Sequence, residues 1–323
     1  MKFYFAPLEG ITGYLYRNAY HDFFDCGIDK YFTPFIGVNQ NGLGKSRELE
    51  DLKPEHNKGM KVVPQLLGNN GRQVNEYLYL LKEMGYGEVN LNIGCPYQTV
   101  VAKKKGAGLL ADTVYLNTFL EEVFKNAPVE VSVKTRIGME HPWEFEEILD
   151  IYNQYPISEL IVHPRVREDF YRNHPNLDAF AYAVENSKAP VCYNGDIFTV
   201  QDYRLFAKRF PKVERVMIGR GFLANPGLLS EMMKVETGHK KDTLQRFHDR
   251  VYEDYRRVMS GDKNTLFKMK ELWNYMQFMF EGSEKYSKKI RKAQRAADYE
   301  SAVKLLFGAC PLKEAGGFIS EGK

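Results

Sequence analysis

The chain has 323 residues, 44% of them hydrophobic and 27% charged, with a formal net charge of +3. That is the composition of an ordinary globular protein, long enough for one large domain and a smaller second one. No run approaches the ~18–20 apolar residues of a membrane span, and the N-terminus lacks the apolar run of a signal peptide, so a cytoplasmic location is expected.

Up to about residue 235, short β-rich runs alternate with amphipathic stretches, the pattern of a parallel α/β fold. Strands are predicted at Phe3–Ala6, Tyr31–Pro34, Val62–Leu66, Val89–Asn92, Val129–Lys134, Leu160–His163, Val191–Asn194 and Val213–Ile218. Helices are predicted between them at Gly71–Met84, Val114–Lys125, Trp143–Asn153, Leu177–Glu185 and Thr199–Lys208. Leu78, Leu81 and Met84 recur at helical spacing, and Thr199 with Asp202 has the capping-box arrangement. Eight strands are the number that closes a (β/α)8 TIM barrel.

The pattern changes after about Gly238. From Lys241 to Leu306 there is no proline and no β-rich run. Tyr252, Tyr255, Val258 and Met259 share a helical face, as do Leu272, Tyr275, Met276 and Met279, and then Ala302, Leu305 and Leu306. The expected organisation is a barrel over 1–238, an all-α helical domain over 239–310 and a flexible tail over 311–323. Residues 240–304 hold 16 Lys and Arg against 10 Asp and Glu, an excess of +6 beside −3 for the rest. That asymmetry fits a polyanionic partner or a solvated helical face.

In barrels of this kind the active site forms at the C-terminal strand ends. Here those ends carry Ala6-Pro7-Leu8-Glu9-Gly10, Gln65, Asn92-Ile93-Gly94-Cys95-Pro96, Lys134-Thr135-Arg136, His163-Pro164-Arg165, Asn194-Gly195-Asp196 and Gly219-Arg220-Gly221. Each alone has an ordinary structural explanation; their joint placement is harder to dismiss. Backbone N–H groups of the Gly219–Gly221 turn can approach a phosphate, and Arg220 adds a charged fork. Lys134 places positive charge beside an anionic ring, while Asn194 and Gln65 offer amide donors and acceptors to a heterocycle edge. Together these suit FMN. No Gly-x-Gly-x-x-Gly stands near the N-terminus, which disfavours a Rossmann dinucleotide site. Cys95 lies in a loop, and an ordinary thiol is mostly protonated at neutral pH, so it can serve as a proton donor. The four cysteines, Cys26, Cys95, Cys192 and Cys310, form no C-x-x-C pair, and no metal site or disulfide framework is expected.

These motifs resemble the tRNA-dihydrouridine synthase family over roughly residues 1–310. Ala6-Pro7-Leu8-Glu9-Gly10 is similar to the family's opening motif, and Asn92-Ile93-Gly94-Cys95-Pro96 to its catalytic-cysteine signature. Gly106-Ala107-Gly108-Leu109-Leu110, Lys134-Thr135-Arg136-Ile137-Gly138, Asn194-Gly195-Asp196-Ile197 and Met217-Ile218-Gly219-Arg220-Gly221 match in order. The resemblance implies an FMN-holding barrel followed by a helical domain that grips tRNA, with NADPH as reductant. It implies hydride transfer from the flavin to uridine C6 and protonation of C5 by Cys95. Pro7, Gln65, Lys134, His163, Asn194, Asp196, Gly219 and Arg220 would surround the flavin. Asn92 and Arg165 would contact the substrate nucleotide, and the chain would act as a monomer. Two departures are visible. His163-Pro164-Arg165-Val166 stands where the family commonly has His-x-Arg-Thr, and Asp169 replaces a common Gln, although Tyr171 fits. Lys103-Lys104-Lys105, just after Cys95, fits an RNA phosphate track or a solvated loop. A free-pyrimidine oxidoreductase, which would not need a basic helical bundle, and a non-catalytic tRNA-binding protein are the competing readings.

Overall fold

Residues 1–40, 42, 47–235 and 240–314 are described in this computed structural model; the expected domain junction at 238–239 and the tail beyond 314 lie outside them. Eight parallel strands close a barrel in chain order: β1 (Lys2–Phe5), β2 (Ile28–Gly37), β3 (Val62–Leu67), β4 (Glu88–Ile93), β5 (Glu130–Arg136), β6 (Leu160–His163), β7 (Val191–Tyr193) and β8 (Arg215–Ile218). β1 completes the ring by pairing with β8 from Lys2–Arg215 to Phe5–Ile218.

Every expected strand is present, with shifted ends that have physical causes. β2 starts at Ile28 because its polar residues are used locally. Asp29 Oδ2 accepts the Phe3 N–H at 2.8 Å, and Lys30 Nζ pairs with Glu88 and Glu159. β8 starts later than expected, since the Val213 N–H closes a turn on the Phe210 carbonyl.

Helices at Gly71–Glu83, Thr113–Phe124, Glu144–Tyr152, Leu177–Asn186 and Val200–Arg209 follow the expected ranges closely. The Thr199 capping box forms in both directions: the Asp202 N–H donates to Thr199 Oγ1 at 3.1 Å, and the Thr199 N–H donates to Asp202 Oδ2 at 2.9 Å. A helix at Tyr14–Phe24 is absent from the expected set. Its buried face includes Arg17, which breaks the apolar pattern. The two terminal nitrogens of Arg17 donate to Asp51, Asn57 Oδ1 and the Thr12 carbonyl.

Tyr4, Ala6, Phe32, Val63, Ile161, Cys192 and Met217 fill the barrel interior. Its N-terminal end is closed by Glu159, which accepts from Tyr4 Oη at 2.8 Å and pairs with Lys30 and Arg215. With that end of the barrel interior filled, the opposite end is where a site of this fold forms.

Four longer helices follow, Lys240–Val258, Gly261–Met276, Glu284–Lys292 and Ala296–Ala309. Two residues expected on their buried faces, Val258 and Leu305, are instead half-exposed. The start of the expected tail is tethered: Leu312 bridges Phe280, and the Lys313 N–H donates to the Met279 carbonyl. No helix among the described residues is long and apolar enough to cross a membrane. No group of three or more His, Cys, Asp or Glu among them could hold a metal ion.

The helical region shares its hydrophobic core with the barrel. Phe247 is fully buried, with its ring edge-on to Tyr16 at 5.5 Å and to Phe24 at 5.2 Å. Phe247→Ala removes that ring from a site with no room to collapse, and is expected to cost about 3–5 kcal/mol in a chemical denaturation curve.

Candidate functional site

A cavity of about 270 Å³ opens at the C-terminal end of the barrel, lined among others by Pro7, Gln65, Asn92, Cys95, Lys134 and His163. A smaller recess shares Pro7, Lys134, His163 and Arg220 with it and adds Asn194, Gly195, Phe198 and Gly219. Strand pleating explains this convergence. Lys134 and Arg136 lie two residues apart on β5, paired with Asn92 on β4 and His163 on β6 respectively.

Cys95 is buried at the start of the β4 loop. Asn92 Oδ1 accepts the N–H groups of Gly94 at 3.1 Å and Cys95 at 2.9 Å, which folds that loop. The far side is held by Gly106, at φ +57°, where an added Cβ would lie 2.9 Å from Cys95 Cβ. Burial raises the Cys95 thiol above its ordinary pKa, against the lowering pull of the Tyr97 backbone, Arg136 and Lys134. The thiol is therefore protonated at neutral pH.

Lys134 points its ammonium into the cavity with no hydrogen-bond or ion-pair partner among the described residues. Burial, reinforced by Arg136, lowers it from its ordinary 10.5 to about 8. His163 is held well below its ordinary value, first by burial and then by the surrounding Arg136, Lys134, Arg165 and Arg220. Arg165 Nη1 lies 3.0 Å from His163 Nε2. A guanidinium can only donate, so Nε2 accepts and the neutral ring carries its proton on Nδ1.

Eleven site residues were expected, and the structure brings nine of them to these two spaces: Pro7, Gln65, Asn92, Cys95, Lys134, His163, Asn194, Gly219 and Arg220. Asp196 and Arg165 line neither. Asp196 bridges two guanidiniums, Arg165 at 2.5 Å and Arg220 at 2.7 Å. Arg165 is buried and further donates to the Arg172 and Asn173 carbonyls, so it braces His163 and Asp196 from behind. The departure at Asp169 has a local role: it accepts the Val166 N–H at 3.1 Å and the Asn173 side-chain amide at 2.6 Å, holding the β6 loop.

Several lining residues were given no site role from the sequence, Arg136 and Tyr171 among them although both stood in the matched motifs. Arg136 donates to the carbonyls of Gly94, Val166 and Phe170, and Tyr171 sits with its ring 4.5 Å from the Arg220 guanidinium. Their signal was present, since Arg136 shares the inward face of Lys134. Tyr97, Glu271, Asn274 and Tyr275 also line the cavity. Tyr275 has the helical spacing of a core residue, and nothing local distinguishes it from Leu272 or Met276. Of Lys103-Lys104-Lys105, the third is tied down, with its Nζ donating to the Val38 carbonyl at 2.7 Å.

The family model described as "Dihydrouridine synthase (Dus)" matches residues 4–307. The chain is 30% identical over 257 residues to a tRNA-dihydrouridine(16) synthase of Pseudomonas putida, covering 77% of this chain and 78% of that one. It is 25% identical to a protein of the same name from Cupriavidus necator, covering 97% and 99% respectively. Among solved structures, one of TcOYE with pHBA superposes with a TM-score of 0.53 at 11% identity, covering 72% of this chain and 89% of that one. A histamine dehydrogenase from Rhizobium sp. 4-9 superposes with a TM-score of 0.52 at 11% identity, over 75% of this chain and 46% of that one. These two likenesses concern the barrel fold.

The lowered Lys134 pKa has a definite sign in stability. Between pH 8 and 10.5 the unfolded chain binds more protons than the folded one, so the penalty for burying the ammonium is full below pH 8 and fades as pH rises. In the cofactor-free protein, Lys134→Met is expected to raise Tm at pH 7 and to raise it less at pH 10. An equal gain at both pH values would mean that Lys134 titrates normally.

Proposed function

Because the chain belongs to the dihydrouridine synthase family, we propose that it reduces the 5,6 double bond of D-loop uridines in tRNA, using FMN, NADPH and a proton from Cys95. The single observation that carries this reading is the pairing, across one cavity, of a thiol kept protonated with an ammonium that has no partner among the described residues.

The residues fit FMN. An unpaired ammonium in a cavity calls for an anion, and the isoalloxazine pyrimidine edge supplies one in the reduced state. The recess has the close walls that a phosphate needs, since a Cβ on Gly219 would meet Ala6 Cβ at 3.2 Å and Leu8 Cδ1 at 3.3 Å. Arg220, oriented by Asp196, lines that recess. The Gln65 amide keeps one N–H free of its protein partners for a heterocycle edge. Bound there, the flavin supplies hydride chemistry at uracil C6.

The chain's own residues complete the reaction. The Cys95 thiol gives its proton to C5, and the thiolate that remains is stabilised by the Tyr97 N–H, Arg136 and Lys134. Asn92 has one N–H left for a uracil carbonyl after donating to Gln65 Oε1 at 2.8 Å. Neutral His163 offers Nδ1–H as a donor without adding positive charge. Arg165 and Asp196 act as braces for His163 and Arg220.

A uridine must leave the tRNA stack to enter a cavity of this depth, at a cost of a few kcal/mol. Backbone contacts offset that cost, and the basic excess supports them. Lys285, Lys288, Lys289 and Lys292 line an open groove beside Leu305. Its one carboxylate, Asp298, is paired with Arg295. The relatives named for position 16 make that nucleotide the first to map.

Cys95→Ala is expected to cut tRNA reduction by ~10²–10⁴-fold while flavin reduction by NADPH stays intact, measured as two half-reactions. Equal loss in both would assign Cys95 a structural role. Flavin released by denaturation is expected to run as FMN in chromatography; FAD, or no flavin after reconstitution, would sink the cofactor assignment. Affinity for tRNA is expected to fall steeply with salt, as phosphate neutralisation releases counterions.

A further inference from the structure

Inside the barrel mouth a chain of three side-chain amides runs from β5 to the Cys95 loop. Asn90 Nδ2 donates to Ser132 Oγ at 3.0 Å. Gln65 Nε2 donates to Asn90 Oδ1 at 2.8 Å, and Asn92 Nδ2 donates to Gln65 Oε1 at 2.8 Å. Asn92 Oδ1 then accepts the backbone N–H groups of Gly94 and Cys95. Ser132 and Asn90 are wholly buried, and Gln65 is 1% exposed.

The direction of this chain is forced. Backbone N–H groups cannot exchange donor for acceptor, so Asn92 must turn its oxygen to the Cys95 loop and its nitrogen to Gln65. Gln65 must then present oxygen to Asn92 and nitrogen to Asn90. Asn90 in turn must present oxygen to Gln65 and nitrogen to Ser132. The serine hydroxyl is the only member able to donate or accept by rotation. A reversed amide anywhere would set like atoms face to face in a buried site, with the full cost of unmet polar groups.

We propose that Asn90, terminated by Ser132, is a positioning residue: it locks the orientation of Gln65 and Asn92 and through them the Cys95 loop. Neither Asn90 nor Ser132 lines the cavity. The inference rests on Cys95 being the proton donor, but its test reads loop geometry without turnover.

The measurement is the pH profile of iodoacetamide alkylation at Cys95 in the native, cofactor-bound protein, followed by peptide mass spectrometry to separate it from Cys26. Asn90→Leu keeps the approximate size and removes both hydrogen bonds. Gln65 then loosens, the loop opens and the thiol loses part of the burial that raises its pKa. The profile is expected to move down by about one pH unit, giving roughly tenfold faster alkylation at pH 7. Asn90→Asp keeps the direction of the chain, because a carboxylate accepts from Gln65 and the Ser132 hydroxyl rotates to donate to it. Its profile is expected to stay in place or move up, since the added negative charge opposes thiolate formation. Ser132→Ala leaves the Asn90 amide nitrogen unpaired and is expected to shift the profile part of the way, which keeps the test open if Asn90→Leu does not fold. A downward shift in Asn90→Leu or Ser132→Ala, absent in Asn90→Asp, supports the proposal. Unmoved profiles in the folded Leu or Ala variants, or a downward shift in Asn90→Asp as well, overturn it. Failure of Cys95→Ala to slow tRNA reduction would overturn the catalytic reading instead, and leave the alkylation result intact.

Discussion

Arg136 is a nearly fully buried cation with no carboxylate in ion-pair range among the described residues. Its guanidinium instead spans three backbone carbonyls, Gly94 at 3.0 Å, Val166 at 2.8 Å and Phe170 at 2.5 Å. Burial pulls its pKa from 12.5 to about 10, which still leaves it charged at neutral pH. A flat, five-donor fork can tie the β4 loop to the β6 loop in this way; an ammonium could not reach all three acceptors in one geometry. Arg167 adds a second tie between the same loops, its Nε donating to the Pro96 carbonyl at 3.3 Å. The β6 loop that Arg136 grips is itself unusual, with Phe170 at φ +50° and Asn173 at φ +57°. Such non-glycine conformations persist only where neighbours over-determine them. Asp169 and Arg165 do so here, binding the loop from its other side.

The positions that depart from the family pattern take part in this same arrangement. Val166 contributes its carbonyl to Arg136, and any residue has a carbonyl. Pro164 lacks an N–H, but its oxygen is used, accepting from the Asn176 N–H at 2.7 Å. Asp169 supplies, from a short side chain, the acceptor that steadies both ends of the turn.

The barrel was legible because its signal is repeated: eight β-rich runs are interleaved with five helical stretches, and each local preference agrees with the closed sheet. Glycine turns and polar residues at strand ends then marked the mouth, since strand direction alone decides which end they occupy. What stayed hidden depended on contacts distant in sequence. Arg17 disguised a helix as a polar stretch, because its partners Asp51 and Asn57 lie more than thirty residues away. Arg165 carried a motif position yet turned inward to Asp196, a choice set by the fold and invisible in the motif. Tyr275, at core spacing on its helix, proved to line the cavity because that helix lies across the barrel mouth. Val258 and Leu305 erred in the opposite sense: helical spacing identifies a face, but the absence of a neighbour can leave its edge exposed.

The cavity wall formed by Glu271, Asn274 and Tyr275 bears on how the protein is made. The elements around Gln65, Cys95, Lys134 and Arg220 all leave the ribosome before the helix Gly261–Met276 does. With vectorial synthesis, N-terminal units fold first. For some seconds the nascent chain therefore carries a barrel whose mouth lacks its final wall and whose Tyr16 and Phe24 rings still await Phe247. The last helices to be made both wall the cavity and cover those aromatics, so completion of the site waits on completion of the core.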